Sequence, residues 1–303
     1  MIDIMVPLFD DYKNIFLIKG AADGKSPYSN SLLIKDFLID TGISSKHIRI
    51  LKKNHININN IILSHWHQDH INGNRFFMDK PFFAHYEEKF ILENFNKNYV
   101  SYYGITDLDT KRWFGDGLKA FRLCDIKVDT CLSDGDKIKI GEDLELEVIY
   151  TPGHSKGHCC FLELNSKILF LADMILYNPF YGGNDSNLLE FENSIKKLRK
   201  VNFNLAISSH MGIIENKNKL NQQLDICKNI INKRDEKILD FLSERYPVTI
   251  CDLTKKNILY KTYISKMFEG YNILIEKNMI KKHLDKFLNK GIIRFEEEGY
   301  ILQ

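Results

Sequence analysis

The sequence predicts a layered α/β sandwich followed by a small, mainly helical C-terminal domain. In the first two thirds of the chain, short apolar segments mix with helical patterns in two successive stretches. Strands and helices that alternate in this way pack as sheet and helix layers around a shared core. From about residue 232 helical patterns dominate, and the chain closes on one alternating segment. A 44% hydrophobic content over 303 residues argues for a folded core and against disorder.

Strand patterns define the two halves of the predicted sandwich. In the first half, NIFLIKG, SLLIKDFLIDTG and NIILSH are β-rich and bounded by turn residues. Between them, SSKHIRILKKN predicts a helix with Ser44 or Ser45 as its N-cap. In the second half, GDKIKIGEDLELEVIYTPGH predicts a hairpin, and CCFLEL, SKILFLADM and NLAISSH predict three more strands.

An aromatic segment, residues 87–121, lies between the two halves. Its pattern is mostly helical, and its aromatic residues include Tyr102, Tyr103 and Trp113. Two interpretations stay open, a small satellite core and a cap over a pocket, because both use apolar side chains.

The C-terminal stretch has the pattern of a winged helix. KRDEKILDFLSERYP, CDLTKKN and MIKKHLDKFLNKG predict three helices, and Gly291 ends the last of them. IIRFEEEGYIL then predicts a hairpin. We therefore predict one domain at residues 1–230 and a winged-helix-like domain at residues 231–303.

The charge of the C-terminal domain bears on a nucleic-acid partner. It contains 14 Lys and Arg residues against 11 Asp and Glu residues, which is a small excess. Lys281, Lys282, Lys286 and Lys290 could contact phosphates. The small excess favours the other interpretation, a solvated helix face.

Bulk properties bear on the compartment. The net charge of +2 gives no strong reason to expect a nucleic acid or a membrane as partner. The six cysteines form no CxxC pair, and the N-terminal sequence lacks the basic start and apolar core of a signal peptide. We therefore predict a cytoplasmic protein with no membrane partner.

The segment SHWHQDHINGN concentrates groups that bind metals. It follows a predicted strand, and residues i, i+2 and i+4 of an extended chain point to the same side. His65, His67 and Asp69 could therefore converge, and a bend after Asp69 could turn His70 towards a neighbouring position. Imidazole and carboxylate groups together suit zinc, iron or manganese.

Further candidate ligands follow other predicted strands. His154 lies in TPGHSKGH, Asp173 ends FLADM, and His210 ends ISSHMG. Open α/β sheets bind ligands at such strand ends. A single His or Asp at these places is more often structural than functional. The combined pattern favours a two-metal site.

These motifs resemble those of the metallo-β-lactamase superfamily. LIDTG, SHWHQDH, TPGHSKGH, LADM and SSHMG stand in the family's order within about residues 1–215. The resemblance implies a four-layer αββα sandwich with a dinuclear site at its edge. It implies that one metal is held by His65, His67 and His154, a second by Asp69, His70 and His210, that Asp173 bridges both, and that Asp40 and His158 support the ligands.

The resemblance also implies a hydrolase that uses a water activated by two divalent ions. Zinc is the first expectation for those ions, with iron and manganese as alternatives. Asp69 would act as the catalytic proton acceptor and donor. An aspartate at position 173 is similar to enzymes that hydrolyse thioesters, lactones and phosphodiesters.

Four functions are compatible with this resemblance. The first is hydrolysis of a thioester or ester, as in the hydroxyacylglutathione hydrolases that the sequence resembles. The second is a ribonuclease or phosphodiesterase of the β-lactamase-like protein 2 type, whose C-terminal winged helix this sequence resembles. A lactonase and a non-catalytic metal-binding protein are the others. We expect a small-molecule substrate, with RNA as an alternative and a homodimer as an option. The predicted substrate contacts are Lys156, Tyr177, Phe180 and Tyr181.

Overall fold

A computed structural model describes residues 2–8, 14–105, 122–243, 246–259 and 269–303, together with residues 108, 111 and 115. The predicted aromatic segment falls partly outside these residues, since Trp113 and residues 116–121 are not among them.

The first sheet contains seven strands in sequence order. Its first four strands pair antiparallel, and β4 to β7 pair parallel. The strands are β1 Met5–Pro7, β2 Ile15–Ile18, β3 Ser31–Ile34, β4 Phe37–Ile39, β5 Asn60–Leu63, β6 Phe82–His85 and β7 Thr130–Leu132.

The second sheet contains six strands in the order β13-β12-β11-β10-β9-β8. Only the β11–β12 pair of this described sheet is parallel. The strands are β8 Lys137–Ile140, β9 Leu144–Tyr150, β10 Cys159–Glu163, β11 Ile168–Ala172, β12 Leu205–Ser208 and β13 Gly212–Ile214. Every strand predicted for the two halves is present.

Eight α-helices lie within the described residues. They are α1 Ser45–Lys53, α2 Gln68–Ile71, α3 Tyr86–Glu93, α4 Phe95–Tyr103, α5 Leu188–Leu198, α6 Lys217–Leu239, α7 Ile250–Lys255 and α8 Glu269–Asn289. The predicted cap of α1 is confirmed as Ser44, whose side chain accepts a hydrogen bond from the backbone N–H of His47. A short 3-10 turn, Ala21–Gly24, precedes β3.

Three apolar clusters build four layers. Leu32, Val148 and Phe161 belong to the cluster between the two sheets. Helices α1, α3 and α4 cover the outer face of the first sheet, and α5, α6 and α8 cover that of the second. The predicted αββα sandwich is confirmed. Every residue of β3, β10 and β11 is buried, as expected for sheets that are covered on both faces.

The C-terminal elements match the predicted order of helices and hairpin. Helices α6, α7 and α8 are followed by β14 Ile293–Glu296 and β15 Gly299–Leu302, which pair antiparallel. Helix α6 runs without a break through residue 230. Ile238, Met279 and Phe287 pack in the same cluster as α5. The winged-helix assignment and the boundary at residue 230 stay predictions.

One lysine of α8 is buried. Lys286 is 3% exposed and forms ion pairs with Glu192 at 2.7 Å and Asp235 at 2.5 Å. Lys282 donates to the backbone oxygen of Asn184 at 2.8 Å. These two side chains therefore hold α8 against the catalytic layers and belong to neither a free solvated face nor a free phosphate-binding face.

Candidate metal centre

The candidate ligands meet at one edge of the sandwich because both sheets send strand ends there. The segment from His65 to His70 follows β5 of the first sheet, and His154, Asp173 and His210 follow β9, β11 and β12 of the second. A register shift between Phe170 and Ala172, with a φ of 44° at Ala172, ends β11 directly before Asp173.

Three imidazoles and one carboxylate form the first group. His67 Nδ1 lies 3.0 Å from His65 Nε2 and 2.8 Å from His154 Nε2, and the last two nitrogens are 3.2 Å apart. Asp173 Oδ2 lies 3.4 Å from His154 Nε2 and 4.0 Å from His65 Nε2. All four residues are buried.

The second group lies on the other side of Asp173. Asp173 Oδ1 is 3.0 Å from His70 Nε2 and 3.2 Å from His210 Nε2. Asp69 Oδ2 is 3.6 Å from the same nitrogen of His210. The structure thus brings together all seven predicted ligands, with the two oxygens of Asp173 facing different groups.

Hydrogen bonds on the outer side of the rings fix which nitrogen faces inward. Asp40 Oδ2 accepts from Ser64 Oγ at 2.7 Å, so Ser64 Oγ must accept from His65 Nδ1 at 2.9 Å. Asp40 Oδ2 is also 2.7 Å from His70 Nδ1. Asp40 therefore orients two candidate ligand rings, that of His70 directly and that of His65 through Ser64.

Backbone oxygens orient two further rings. His154 Nδ1 donates to Phe180 O at 2.8 Å, and His210 Nδ1 donates to Gly24 O at 2.5 Å. In the neutral rings, the Nε2 atoms of His65, His70, His154 and His210 therefore all present lone pairs to the same small volume.

Such a convergence of lone pairs fits a divalent metal site. Tetrahedral zinc, with Zn–N distances of about 2.0–2.1 Å, sets its ligand nitrogens about 3.3 Å apart, close to the spacing of the first group. His70 Nε2 and Asp173 Oδ1 are buried and have no hydrogen-bond partner of acceptable geometry within the described residues. Cations at this place would satisfy those atoms and remove the repulsion between lone pairs.

Burial and charge divide the histidines into two classes. Burial lowers the pKa of His65 and His67 well below the ordinary value, with neighbouring histidines adding to the effect. Burial would also lower the pKa of His70 and His210, but Asp173 outweighs it. The pKa of His70 is raised well above its ordinary value and that of His210 to about 9.

His158 lies outside the cluster and supports it. Its Nδ1 is 2.9 Å from Thr151 Oγ1, and its Nε2 accepts from the backbone N–H of Asp173 at 3.2 Å. It therefore helps to place the carboxylate that lies between the two groups. Its role in supporting the ligands stays a prediction.

Two carboxylates to which no sequence pattern points, the buried Glu88 and the partly buried Asp185, hold the loops that carry the candidate ligands. Glu88 of α3 accepts from the backbone N–H groups of Trp66 at 3.1 Å and Gly157 at 2.8 Å, and from Ser155 Oγ at 2.6 Å. A Cβ at Gly157 would lie 2.5 Å from Glu88 Cγ, so this close approach requires glycine. Burial, with the nearby Asp185 adding to it, raises the pKa of Glu88 to about 8.

Asp185 completes the same arrangement. Its Oδ2 accepts from Trp66 Nε1 at 3.0 Å and from the backbone N–H of Lys156 at 3.1 Å. Trp66, which stands between two ligands, is therefore held at both its backbone and its indole ring.

A cavity of about 370 Å³ opens onto the metal ligands. Predicted contacts Tyr177 and Phe180 line it, whereas Lys156 and Tyr181 are not among its lining residues. Lys156 forms a 2.7 Å ion pair with Glu87, and Tyr181 is buried 2.8 Å from His283. The substrate contacts stay predictions. Tyr103 of the aromatic segment also lines the cavity, as do Lys25 and Tyr271, to which no sequence pattern points.

C-terminal helices hold the wall of this cavity. Arg234 of α6 donates from Nη1 to Pro179 O and to the Tyr181 hydroxyl, both at 2.8 Å, and contacts the side chain of Asn178. Asn278 of α8 donates to Gly182 O at 2.9 Å and to Tyr103 O at 3.1 Å. These contacts tie the segment after Asp173 to both helices. The aromatic segment is predicted to form either a small core or a cap over a pocket. Tyr103 fits both interpretations, because it is buried in the core of the first sheet and also lines the cavity.

A family model described as the metallo-beta-lactamase superfamily matches residues 27–210, which is more than half of the chain. The chain belongs to the metallo-beta-lactamase superfamily. This match confirms the predicted family, the predicted fold and the prediction that the protein is a hydrolase of this superfamily.

Among curated relatives, the human acyl-coenzyme A thioesterase MBLAC2 is 31% identical over 116 residues, covering 38% of this chain and 40% of that protein. The atrochrysone carboxyl ACP thioesterase of Aspergillus fumigatus is 31% identical over 85 residues, covering 28% and 26%. The beta-lactamase-like protein 2 homolog of Drosophila melanogaster is 25% identical over 279 residues, covering 88% and 84%. The chain thus spans less than half the length of either thioesterase.

Solved structures show the same fold. A beta-lactamase domain protein from Burkholderia ambifaria has a TM-score of 0.73 at 15% identity, covering 99% of this chain and 93% of that one. A metallo-beta-lactamase family protein from Thermus thermophilus has a TM-score of 0.67 at 19% identity, covering 99% and 97%. Among the described residues, no helix combines the length and apolar character needed to cross a bilayer.

Proposed function

We propose that this protein is a two-metal hydrolase of thioesters or esters. One observation carries the proposal: seven His and Asp side chains converge at the cavity, with ring nitrogens turned inward by their outer hydrogen bonds. Divalent cations bound there would lower the pKa of a bound water to about 7 and polarise the substrate carbonyl.

Asp69 is the side chain best placed to move protons in this reaction. It lines the cavity and lies 3.6 Å from His210 Nε2. Its carboxylate would take a proton from the attacking water and return it to the leaving thiolate or alkoxide. His65, His67 and His154 would hold one cation, Asp69, His70 and His210 the other, and Asp173 would contact both.

The cavity favours a substrate with an apolar acyl group. Tyr103, Tyr177, Phe180 and Tyr271 line it, and Lys25 is the one Lys or Arg among its described lining residues. Aromatic walls with few polar groups bind apolar ligand parts. Two relatives bear thioesterase names, which supports a thioester ahead of a phosphodiester.

The proposal also covers the identity of the metal, the location of the protein and its C-terminal unit. Zinc is the first choice because three imidazoles at near-tetrahedral spacing suit it, with iron and manganese next. We retain a small-molecule substrate, a cytoplasmic location and a winged-helix-like unit at residues 231–303, which supports the cavity through α8 and Tyr271.

The test compares hydrolysis by the protein loaded with zinc, iron or manganese. Substrates are an acyl-coenzyme A, S-acylglutathione, a homoserine lactone, bis(p-nitrophenyl) phosphate and single-stranded RNA. We expect thioester turnover that exceeds phosphodiester turnover. Cleavage of RNA without thioester turnover would support the ribonuclease alternative and reject the proposal. A protein that binds no metal would reject every metal-dependent activity.

A matched pair of variants tests the ligands. His67→Asn removes a cluster nitrogen, whereas His55→Asn changes an exposed histidine after α1. We expect His67→Asn to lower kcat/KM by about 100-fold or more, since even loss of a group that supports a ligand costs about 10–100-fold. His55→Asn should leave activity unchanged. Equal activity of both variants would refute the role of His67.

A further inference from the structure

A second and larger cavity, of about 750 Å³, lies beside the metal centre. Residues 20–28 separate the two: Lys25 and Ser26 line the metal-site cavity, while Gly20–Asp23 and Tyr28 line the other. We call the second one the basic cavity, because four of its lining residues are Lys19, Lys46, Arg49 and Arg75.

Positive charge in the basic cavity is almost unopposed. Asp23 is the one acidic residue among its described lining residues. Lys19, Lys46 and Arg49 form no ion pair with any part of the chain that the structure describes, and the ring of His47 is turned to the backbone oxygen of Lys19 at 2.9 Å. Like charges gathered in this way repel one another, and a bound anion would relieve that repulsion.

Arg75 is a fixed member of this group. Its guanidinium donates to Asn72 O at 2.7 Å and to Ser45 Oγ at 2.5 Å. Phe76 packs against two of the guanidinium groups, with its ring centroid 4.6 Å from Arg75 Cζ and 5.5 Å from Arg49 Cζ. Planar guanidinium groups held in this way match the oxygen pairs of phosphates.

The size and lining of the basic cavity further restrict the class of ligand that it could bind. The cavity is large enough for a compact multi-charged group, and Tyr28 is the one Phe, Tyr or Trp among its described lining residues. A nucleoside diphosphate combines two phosphates for the cations with a base that an aromatic ring can stack on. A single inorganic anion would leave most of the volume unused.

We propose that the basic cavity binds the phosphate groups of a nucleoside diphosphate moiety. Building on the proposed function, this moiety has two sources: the leaving-group end of a thioester substrate that extends past Lys25 to the metal centre, or a free nucleotide that binds beside it. Both use the same chemistry, and the experiment separates them.

The binding arm uses ADP and calorimetry on the metal-loaded protein. The double variant Lys46→Glu with Arg49→Glu reverses two charges of the cavity, and Lys53→Glu reverses an exposed charge elsewhere on α1. We expect the double variant to weaken ADP binding about 10-fold or more, and Lys53→Glu to change it little. Absent ADP binding, or equal binding by all three proteins, would overturn the proposal.

The kinetic arm identifies the source of the phosphates. If they belong to the substrate, the double variant raises KM for an acyl-coenzyme A but not for the matching S-acyl-N-acetylcysteamine, which lacks phosphate. If the ligand is a free nucleotide, ADP changes the rate of the natural protein on the truncated thioester. A double variant that loses RNA binding and keeps ADP binding would overturn the proposal in favour of RNA.

The two proposals fail separately. Protein that binds ADP through the basic cavity but hydrolyses no thioester would leave this site standing and reject the proposed function. Thioester turnover with no ADP binding, and with equal KM values for both thioesters in the natural protein and the double variant, would do the reverse.

Discussion

At the scale of single residues, the positions of the candidate metal ligands depend on side chains that would not themselves contact a metal. Glu88 joins the two loops that carry His65, His67 and His154, since it accepts from Trp66 in one loop and from Ser155 and Gly157 in the other. It is 1% exposed, so each of its hydrogen bonds forms in a medium of low dielectric constant.

We expect Glu88→Gln to weaken metal binding. Above a pH of about 8, where Glu88 is ionised, the amide presents an N–H group at a position where the carboxylate accepts hydrogen bonds. This change costs about 1–3 kcal/mol of stability and misplaces the loops that carry the candidate ligands. Metal affinity, measured by competition with a chelating dye, should fall about 10-fold or more. The neighbouring change Glu87→Gln, which breaks only the ion pair to Lys156, is the control and should have little effect. Equal affinities in both variants would contradict this role.

Sequence reading found the ligands and missed these supports for a physical reason. His65, His67, Asp69 and His70 share one short segment, so their closeness along the chain indicates that they meet. The extended chain assumed for Asp69 is wrong, because Asp69 and His70 lie on helix α2. Trp66 and Glu88 are 22 positions apart, and Trp66 and Asp185 are 119 apart. Pairings over such distances are set by packing and leave no local pattern in the chain.

At the scale of secondary-structure elements, α6 and α8 connect the C-terminal segment to the candidate active site. Arg234 is 3% exposed, and its guanidinium bonds to residues 178–181 surround Phe180. Phe180 lines the cavity, and its backbone oxygen orients His154. A change in α6 can therefore displace the candidate ligand His154 through the backbone of Pro179 and Phe180.

We expect Arg234→Met to raise KM and to lower the melting temperature. Methionine keeps the alkyl packing but leaves the backbone oxygen of Pro179 and the hydroxyl of Tyr181 without their donor, at a cost of about 2–3 kcal/mol. The control Lys233→Met changes an exposed side chain of the same helix. Thermal unfolding and steady-state kinetics provide the measurements. An unchanged KM would show that α6 stabilises the fold without shaping the cavity.

The elements themselves were predictable to different extents. Long apolar strands such as β9 and β11 follow from their composition, and the fold class follows from their order. The sequence does not predict strands β1, β6, β7 and β13, because segments of three or four residues carry too little periodicity to stand out. The sequence also does not predict that Lys286 forms buried ion pairs, because its partner Glu192 lies 94 positions away along the chain.

At the scale of the whole molecule, the metal centre joins the two sheets. Four candidate ligands come from the segment after β5 in the first sheet, and three come from strand ends of the second. A cation held by both sets would act as a cross-link that exists only in the folded state, and such binding stabilises the protein by mass action.

We expect metal removal to lower the melting temperature by about 5 °C. Metal at about 100 times its Kd contributes about 2.7 kcal/mol, and a protein of this size shifts by about 2 °C per kcal/mol. Differential scanning calorimetry before and after dialysis against a chelator measures the shift, and added zinc should restore it. His67→Asn should show a smaller shift. An equal melting temperature with and without metal would argue against the cross-link.

The position of Trp66 also has a spectroscopic consequence. The chain contains two tryptophans, and Trp66 is fully buried with its ring centroid 4.7 Å from that of His67. Replacing Trp113 with phenylalanine would leave Trp66 as the single indole fluorophore, in contact with a candidate ligand. Its emission would then report the arrival of each cation directly, and a titration could separate the filling of the first position from that of the second.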